Sequence, residues 1–157
     1  MLKEKTLELY SLASEEGQAI WFLGVPTFIK ATGEQTGGAF GLIEQIVQVG
    51  DESPYHVHHA EEEIFFVLEG ELTFISGEHQ MVGTTGSYTY LPRNIPHGFK
   101  VTGDKPARFF ILALPAGFEQ FVLEMSEPKP SAGPPDMDKL MSVAARHNIE
   151  ILGPLPK

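Results

Sequence analysis

The sequence predicts an all-β protein, an antiparallel sandwich or jelly-roll barrel, on three observations. Between residues 18 and 114 the chain is a succession of short runs rich in Val, Ile, Phe, Tyr and Thr. Gly, Pro, Asn and Asp interrupt those runs at close, even intervals. No helical periodicity lies between them, which argues against parallel βαβ units. In chain order the runs place strands at 19–23, 27–31, 39–49, 55–59, 63–69, 71–76, 79–82, 87–91, 97–101 and 108–114, with turns at "GEQTGG", "LEGE", "SGEH" and "TGDKP". Beyond Leu114 the pattern changes. In "PAGFEQFVLEMSE" Phe118, Phe121, Val122 and Met125 recur at helical spacing, predicting an amphipathic helix. The prolines of "PKPSAGPP" forbid regular hydrogen bonding and mark a linker. A second helix follows in "DMDKLMSVAARHN", with Asp136 as N-cap, Met137, Leu140, Met141 and Ala144 on one face and Asn148 as a stop. "IEIL" is then a last strand that packs back on the barrel.

At 157 residues and 42% hydrophobic residues the chain is long enough for one sizeable core. The expectation is a single domain over 1–157, with the barrel at about 18–114 and a helical extension at about 115–157. Eleven basic against twenty-one acidic residues give a formal charge of -10, which repels phosphate backbones and anionic lipid surfaces. Nucleic acid and membranes are therefore not expected partners. The absence of cysteine excludes disulfides and thiolate metal ligands but is silent on redox compartment. The first 17 residues break every apolar run with charges, so they contain no signal-peptide core, and the expected address is cytoplasmic.

One stretch concentrates chemistry. Within eight positions, His56 to Glu63, stand three histidines and three glutamates, followed at once by an apolar strand. Residues two apart on a strand share a face, so His56 and His58 project together while Val57 and His59 project oppositely. On the next strand Glu63, Phe65 and Val67 share a face, and Glu63 can meet the two imidazoles across the turn. His97 opens another strand after a proline-defined turn and supplies a fourth ligand. Three imidazoles and one carboxylate suit a first-row divalent ion such as Mn, Fe, Co, Ni, Cu or Zn. An isolated His-X-His pair is commonly structural. Its conjunction with a carboxylate and a third histidine, each leading into inward apolar alternation, favours metal binding, because such groups are costly to bury without a partner.

These residues resemble both short motifs of the cupin superfamily. The first reads Gly50, His56, His58, Glu63 and Gly70. The second reads Gly86, Pro92, Asn94 and His97, with Asn94 where glycine is usual and Val101 where asparagine often stands. Asn tolerates the left-handed backbone that glycine would supply. The resemblance implies that His56, His58, Glu63 and His97 bind a metal inside a small jelly-roll cupin barrel. Segments "AIWFLG", "IKATGEQTGGAF", "PAGFEQF" and "HNIEILGP" further resemble bacterial quercetin 2,3-dioxygenase-like cupins.

The expected activity is that of a metal-dependent dioxygenase on a flavonol-like or other enolisable aromatic small molecule, with dioxygen as co-substrate and Glu63 as ligand and general base. Pocket candidates sharing the ligand face are Phe40, Leu42, Phe65, Phe74, Tyr88, Tyr90, Phe99, Phe110 and Leu112, a set that suits a flat aromatic ligand over a sugar or phosphate. The alternative is a non-catalytic, metal-containing binding or sensing module. Trp21 and Phe22 are placed outside the barrel, in packing, a lid or a dimer contact. Arg93 and Lys100 flank His97. Glu61 and Glu62 are assigned to solvent, or at best to support of the ligands. Ile64, Phe66 and Leu68 face away from the site and need a cover, from the second sheet or from a partner in a homodimer.

Overall fold

The computed structural model describes residues 6–130 and 133–157. Part of the proline linker, residues 131 and 132, therefore lies outside the described residues. Strands β1 (Gln18–Phe22), β2 (Val25–Ala31), β3 (Gly41–Val47), β4 (Tyr55–His58), β5 (Glu62–Glu69), β6 (Glu71–Ser76), β7 (His79–Thr84), β8 (Tyr88–Leu91), β9 (Gly98–Thr102) and β10 (Ala107–Leu114) follow the predicted runs within a few residues. A two-residue strand β11 (Ser126–Glu127) and a final strand β12 (Ile149–Gly153) complete the set. Every pairing among the described residues is antiparallel.

One layer is a seven-stranded sheet in the order β11-β1-β2-β3-β10-β5-β8. The other consists of β7-β6-β9 and β12-β4, joined where the bridges His56↔His97 and Glu52↔Lys100 lay β4 and the segment before it along β9. The two layers face one another in an all-β jelly roll. Between them lie Ile43, Phe65, Val67, Leu72, Phe74, Phe109 and Ile111, all at most 3% exposed. Gly70 closes the β5–β6 turn at φ +83°, and a Cβ there would stand 2.7 Å from the Pro106 carbonyl, so both conformation and space require glycine.

The described residues include three short helices. The first, α1 (Gly33–Thr36), falls within a stretch whose sequence predicts only a turn. Thr32 and Gln35 form a reciprocal capping box that satisfies both backbone donors. The second, α2 (Phe118–Glu124), buries Phe118, Phe121 and Val122 as its spacing predicts. It is tethered by Glu119, a buried carboxylate that accepts from the Gly33 and Gly117 amides at 3.2 and 3.0 Å. The third, α3 (Met137–Arg146), is capped by Asp136, whose side chain accepts from the Lys139 amide. Its buried residues are Leu140, Val143 and Ala144, whereas Met137 and Met141 are about half exposed. The predicted face is thus rotated, because Val143 rather than the methionines reaches the core. Asn148 ends the helix at φ +58°. No helix among the described residues is long and apolar enough to cross a membrane.

Before β1 the chain is strapped across the outer face of the large sheet. The Lys30 ammonium, 6% exposed, donates to the carbonyls of Ala13 and Glu16 and pairs with Glu44 at 3.3 Å. Glu44 in turn accepts from the Glu15 amide at 2.7 Å. A buried ion pair is tolerable only with such additional bonds.

Candidate metal centre and cavity

The structure brings His56, His58, Glu63 and His97 together, with one ligand atom from each lying within 4.8 Å of all the others. His56 and His58 come from β4, Glu63 from β5, and His97 from the turn before β9, where its backbone exchanges hydrogen bonds with His56 at 2.9 Å each way. Gly98 makes that approach possible, since a Cβ there would run into Leu155 and crowd Pro54 O and Ser53 Oγ at 3.0 Å.

Each imidazole is oriented by its Nδ1. His56 Nδ1–H donates to Pro54 O at 2.8 Å, His97 Nδ1–H to Ile95 O at 2.9 Å, and His58 Nδ1–H to Glu61 Oε1 at 2.8 Å. A carbonyl can only accept, so the proton sits on Nδ1 and the Nε2 lone pair is free to face the centre. Two features then fit a cation. His58 Nε2 is buried without a hydrogen-bond partner, although Glu63 Oε2 stands 3.2 Å away. His97 Nε2 lies 2.7 Å from the same oxygen, a separation at which two acceptors repel unless a proton or metal ion lies between them. Nitrogen and oxygen donors with no thiolate match first-row divalent ions, and the outer partners match the usual support of metal-binding histidines.

The electrostatics follow from the burial. Burial drives His56 down to about 4, assisted by the charges of His58 and His97 and opposed by Glu63. Burial also lowers His58, but Glu63 and the hydrogen bond and charge of Glu61 more than offset it, and the net shift is upward. For Glu63 burial acts upward, yet the surrounding imidazoles, His58 first, hold the carboxyl at about 2.

His56, His58 and Glu63 open into a cavity of about 810 Å³. Its aromatic wall is formed by Phe22, Phe65, Phe99, Phe118 and Phe121, with Val47, Ile111 and Leu140 among the aliphatic lining. A volume of this order encloses a small organic ligand of several rings.

Only part of the predicted pocket set lies there. Phe65 and Phe99 line the cavity, and Phe74, fully buried, packs edge-on behind Phe65 at 5.1 Å. Phe110 and Leu112 pair with Phe66 and Ile64, and Leu42 pairs with Leu112, so all three lie on the outer face. Tyr88 and Tyr90 pair with Phe66 and Ile64 and are 60% and 46% exposed. Phe40, just before β3, is not among the lining residues. The phase is set by Phe65: its partners Ile111 and Thr89 share its face, and their aromatic neighbours in sequence take the other. Trp21 and Phe22 belong to the sheet through β1, and Phe22 lines the cavity. The second layer does not cover Phe66, which remains 38% exposed.

Among the flanking residues, Glu61 is buried and holds His58, while Glu62 pairs with Arg93 at 3.0 Å. Lys100 lines the cavity beside Asp51, Glu52 and Ser53. His59 donates from Nδ1 to Asn94 Oδ1 at 2.8 Å and from Nε2 to Glu150 Oε2 at 3.0 Å, fastening the turn before His97 to β12. Asn94 adopts φ +67°, the left-handed conformation expected from its place in the second motif. The signal for Glu61, a carboxylate three positions from a candidate ligand, is masked by the run of three glutamates around it.

Residues 43–113 match the family model described as Cupin domain. Among curated proteins, the chain is 30% identical over 74 residues to an uncharacterised protein of Methanocaldococcus jannaschii, covering 47% of this chain and 59% of the relative. It is 25% identical over 119 residues to quercetin 2,3-dioxygenase of Bacillus subtilis, covering 76% of this chain and 35% of the relative. The chain thus spans less than two thirds of the length of either relative. Among solved structures, the polyketide cyclase RemF from Streptomyces resistomycificus superposes with a TM-score of 0.58 at 21% identity, covering 68% of this chain and 80% of that one. A Klebsiella pneumoniae protein described by its double-stranded β-helix domain gives 0.52 at 16%, covering 59% and 77%. These two likenesses establish the fold.

Proposed function

We propose that the chain, whose residues 43–113 match the cupin domain model and whose donor set fits a divalent ion, is a metal-dependent dioxygenase acting on a flavonol-like or other enolisable aromatic compound. The observation that carries this proposal is the junction of the three-histidine, one-glutamate group with a large, aromatic-walled cavity. The similarity to the Bacillus subtilis quercetin 2,3-dioxygenase, which extends beyond the barrel motifs to 76% of this chain, supports the same substrate class.

When bound, a first-row divalent ion supplies Lewis acidity and, where redox-active, an electron path to dioxygen. The remaining work falls to the protein. Pro54 O, Ile95 O and Glu61 hold the imidazoles in one tautomer and orientation. The phenylalanine walls sandwich a flat ring system and exclude water from the reacting carbon. Glu63 Oε2 carries the imidazole contacts, and its second oxygen receives the hydroxyl proton whose loss makes the substrate electron-rich.

Protein loaded separately with Mn, Fe, Co and Ni, mixed with quercetin and oxygen, is expected to bleach the flavonol band with matching oxygen uptake in at least one form. Bleaching in none overturns the dioxygenase. The near-complete burial of His58, Glu63 and His97 then favours the alternative, a non-catalytic small-molecule-binding cupin. In that case adding azide or a catechol leaves the spectrum of the loaded centre unchanged.

The same proposal includes a homodimer through the outer face of the large sheet, where Phe66 and Tyr88 meet at a ring distance of 5.8 Å, tilted by 52°, beside Tyr90, all exposed. Light scattering is expected to give twice the chain mass. Tyr88→Glu combined with Phe66→Glu should halve it, and a monomeric wild type would remove the dimer.

A further inference from the structure

We propose that the cavity contains a second recognition point, remote from the metal group, where Gln45 Oε1 accepts a hydrogen bond from a hydroxyl on the distal ring of an aromatic ligand. It rests on the aromatic substrate class proposed above and adds to it which substituent the ligand must carry.

Gln45 lies on the inner face of β3, lines the cavity and is 4% exposed. Among the described lining residues it is the buried polar group that does not belong to the metal cluster, since Asp51, Glu52 and Lys100 are exposed at the mouth. Its position along the sheet is far from that cluster. Glu63 stands in the row Gly41, Ala113, Glu63, Leu91, whereas Gln45 stands in the row Thr27, Gln45, Phe109, Val67. The rows are four residues apart on β3, about 13 Å at the usual rise of a strand. Between them the wall is Ile43, Ile111 and Phe65, which offer nothing polar.

The orientation of the amide is dictated by Thr27, itself 1% exposed. Thr27 Oγ1 gives its single proton to Val25 O at 3.1 Å and can therefore only accept from its other neighbour. Gln45 Nε2 supplies that donor at 3.1 Å. The carbonyl Oε1 is thereby turned away from Thr27, and no donor among the described residues reaches it. A fixed acceptor set in an apolar wall strongly favours the ligand that brings a donor, because the analogue lacking it leaves the oxygen unpaired. The ligand class that fits both ends is a multi-ring phenol, with an enolic oxygen at the metal group and a hydroxyl at the far ring.

The test is anaerobic titration calorimetry on zinc-loaded protein with two flavonols, kaempferol and galangin, which differ by one hydroxyl on the pendant ring. Metal content of each variant is measured first. Wild type is expected to prefer kaempferol by about tenfold, the scale set by an unmade buried hydrogen bond. Gln45→Met, similar in volume but without the acceptor, should bring the ratio to about one. Thr27→Val, which frees the amide to rotate, should lower the ratio without removing it. A ratio near one in wild type, or a ratio that survives Gln45→Met, overturns the assignment and leaves the aromatic substrate class intact. If neither flavonol binds wild type, the substrate class itself fails and this inference falls with it.

Discussion

Replacing His58 with alanine is expected to weaken divalent-cation binding by more than the roughly 10–100-fold that follows loss of an outer partner of a metal-binding histidine. Glu61→Met, which removes only the acceptor of the His58 Nδ1–H, should fall within that lower range. His59→Ala, one residue away but directed at Asn94 and Glu150, should leave affinity unchanged. Competition against a chromophoric chelator measures all three. The ordering matters more than any single value: if Glu61→Met binds as wild type does, the carboxylate does not orient the ring, and the case for a preorganised site loses its main support.

The same titration carries a pH dependence with a definite sign. A cation needs the His58 Nε2 lone pair, and a proton on the ring blocks it. Glu63 and Glu61 raise His58 above its ordinary 6.5, so the protonated form dominates below that raised value and uptake must displace a proton. Affinity therefore falls as pH is lowered through it. His56, held near 4 by burial, and Glu63, held near 2 by the imidazoles, keep their ligand forms across that window.

The convergence of the candidate ligands was legible because strand geometry constrains it tightly. His-X-His fixes two imidazoles on one face, and the four-residue interval to Glu63 leaves room for one turn and a return. Asn94 could be read as left-handed because it stands where the second motif usually has glycine. The pocket wall was less legible for a physical reason. Strand β10, "ARFFILAL", is apolar at nearly every position and alternates buried with half-buried, so its two faces cannot be told apart by polarity. Only its pairing with β5 fixes which face turns inward, and pairing is a long-range fact. Tyr88 and Tyr90 on β8 were misplaced in the same way. Helix α3 offers two overlapping apolar stripes, and the methionines are long enough to suggest the wrong one. Glu61 was hidden within a run of three glutamates, where composition suggests solvent and the turn after β4 buries one of them. Gln45 gave no signal, because its meaning depends on Thr27 across the sheet.

The phase of β10 can be tested by exchanging two adjacent phenylalanines for alanine in turn. Phe109 is fully buried and packs on Phe65 and Phe99 at ring distances of 5.6 and 5.4 Å, whereas its neighbour Phe110 is half-buried on the outer face. Phe109→Ala is expected to cost about 3–5 kcal/mol, since the close-packed layers around it cannot collapse fully into the space. Phe110→Ala should cost about 1 kcal/mol, the ordinary scale for a partly exposed truncation. Denaturant unfolding at constant slope measures both. A functional consequence separates them further. Phe65 and Phe99 are cavity wall, so the larger deletion also frees them to move and should weaken aromatic ligands even in the fraction that stays folded. Phe110 is not among the lining residues and pairs with Phe66 on the outer face, so its loss should leave ligand affinity as it was. If Phe110→Ala proved the costlier change, or weakened the ligand, β10 would be turned over and Ile111 could not face the metal group.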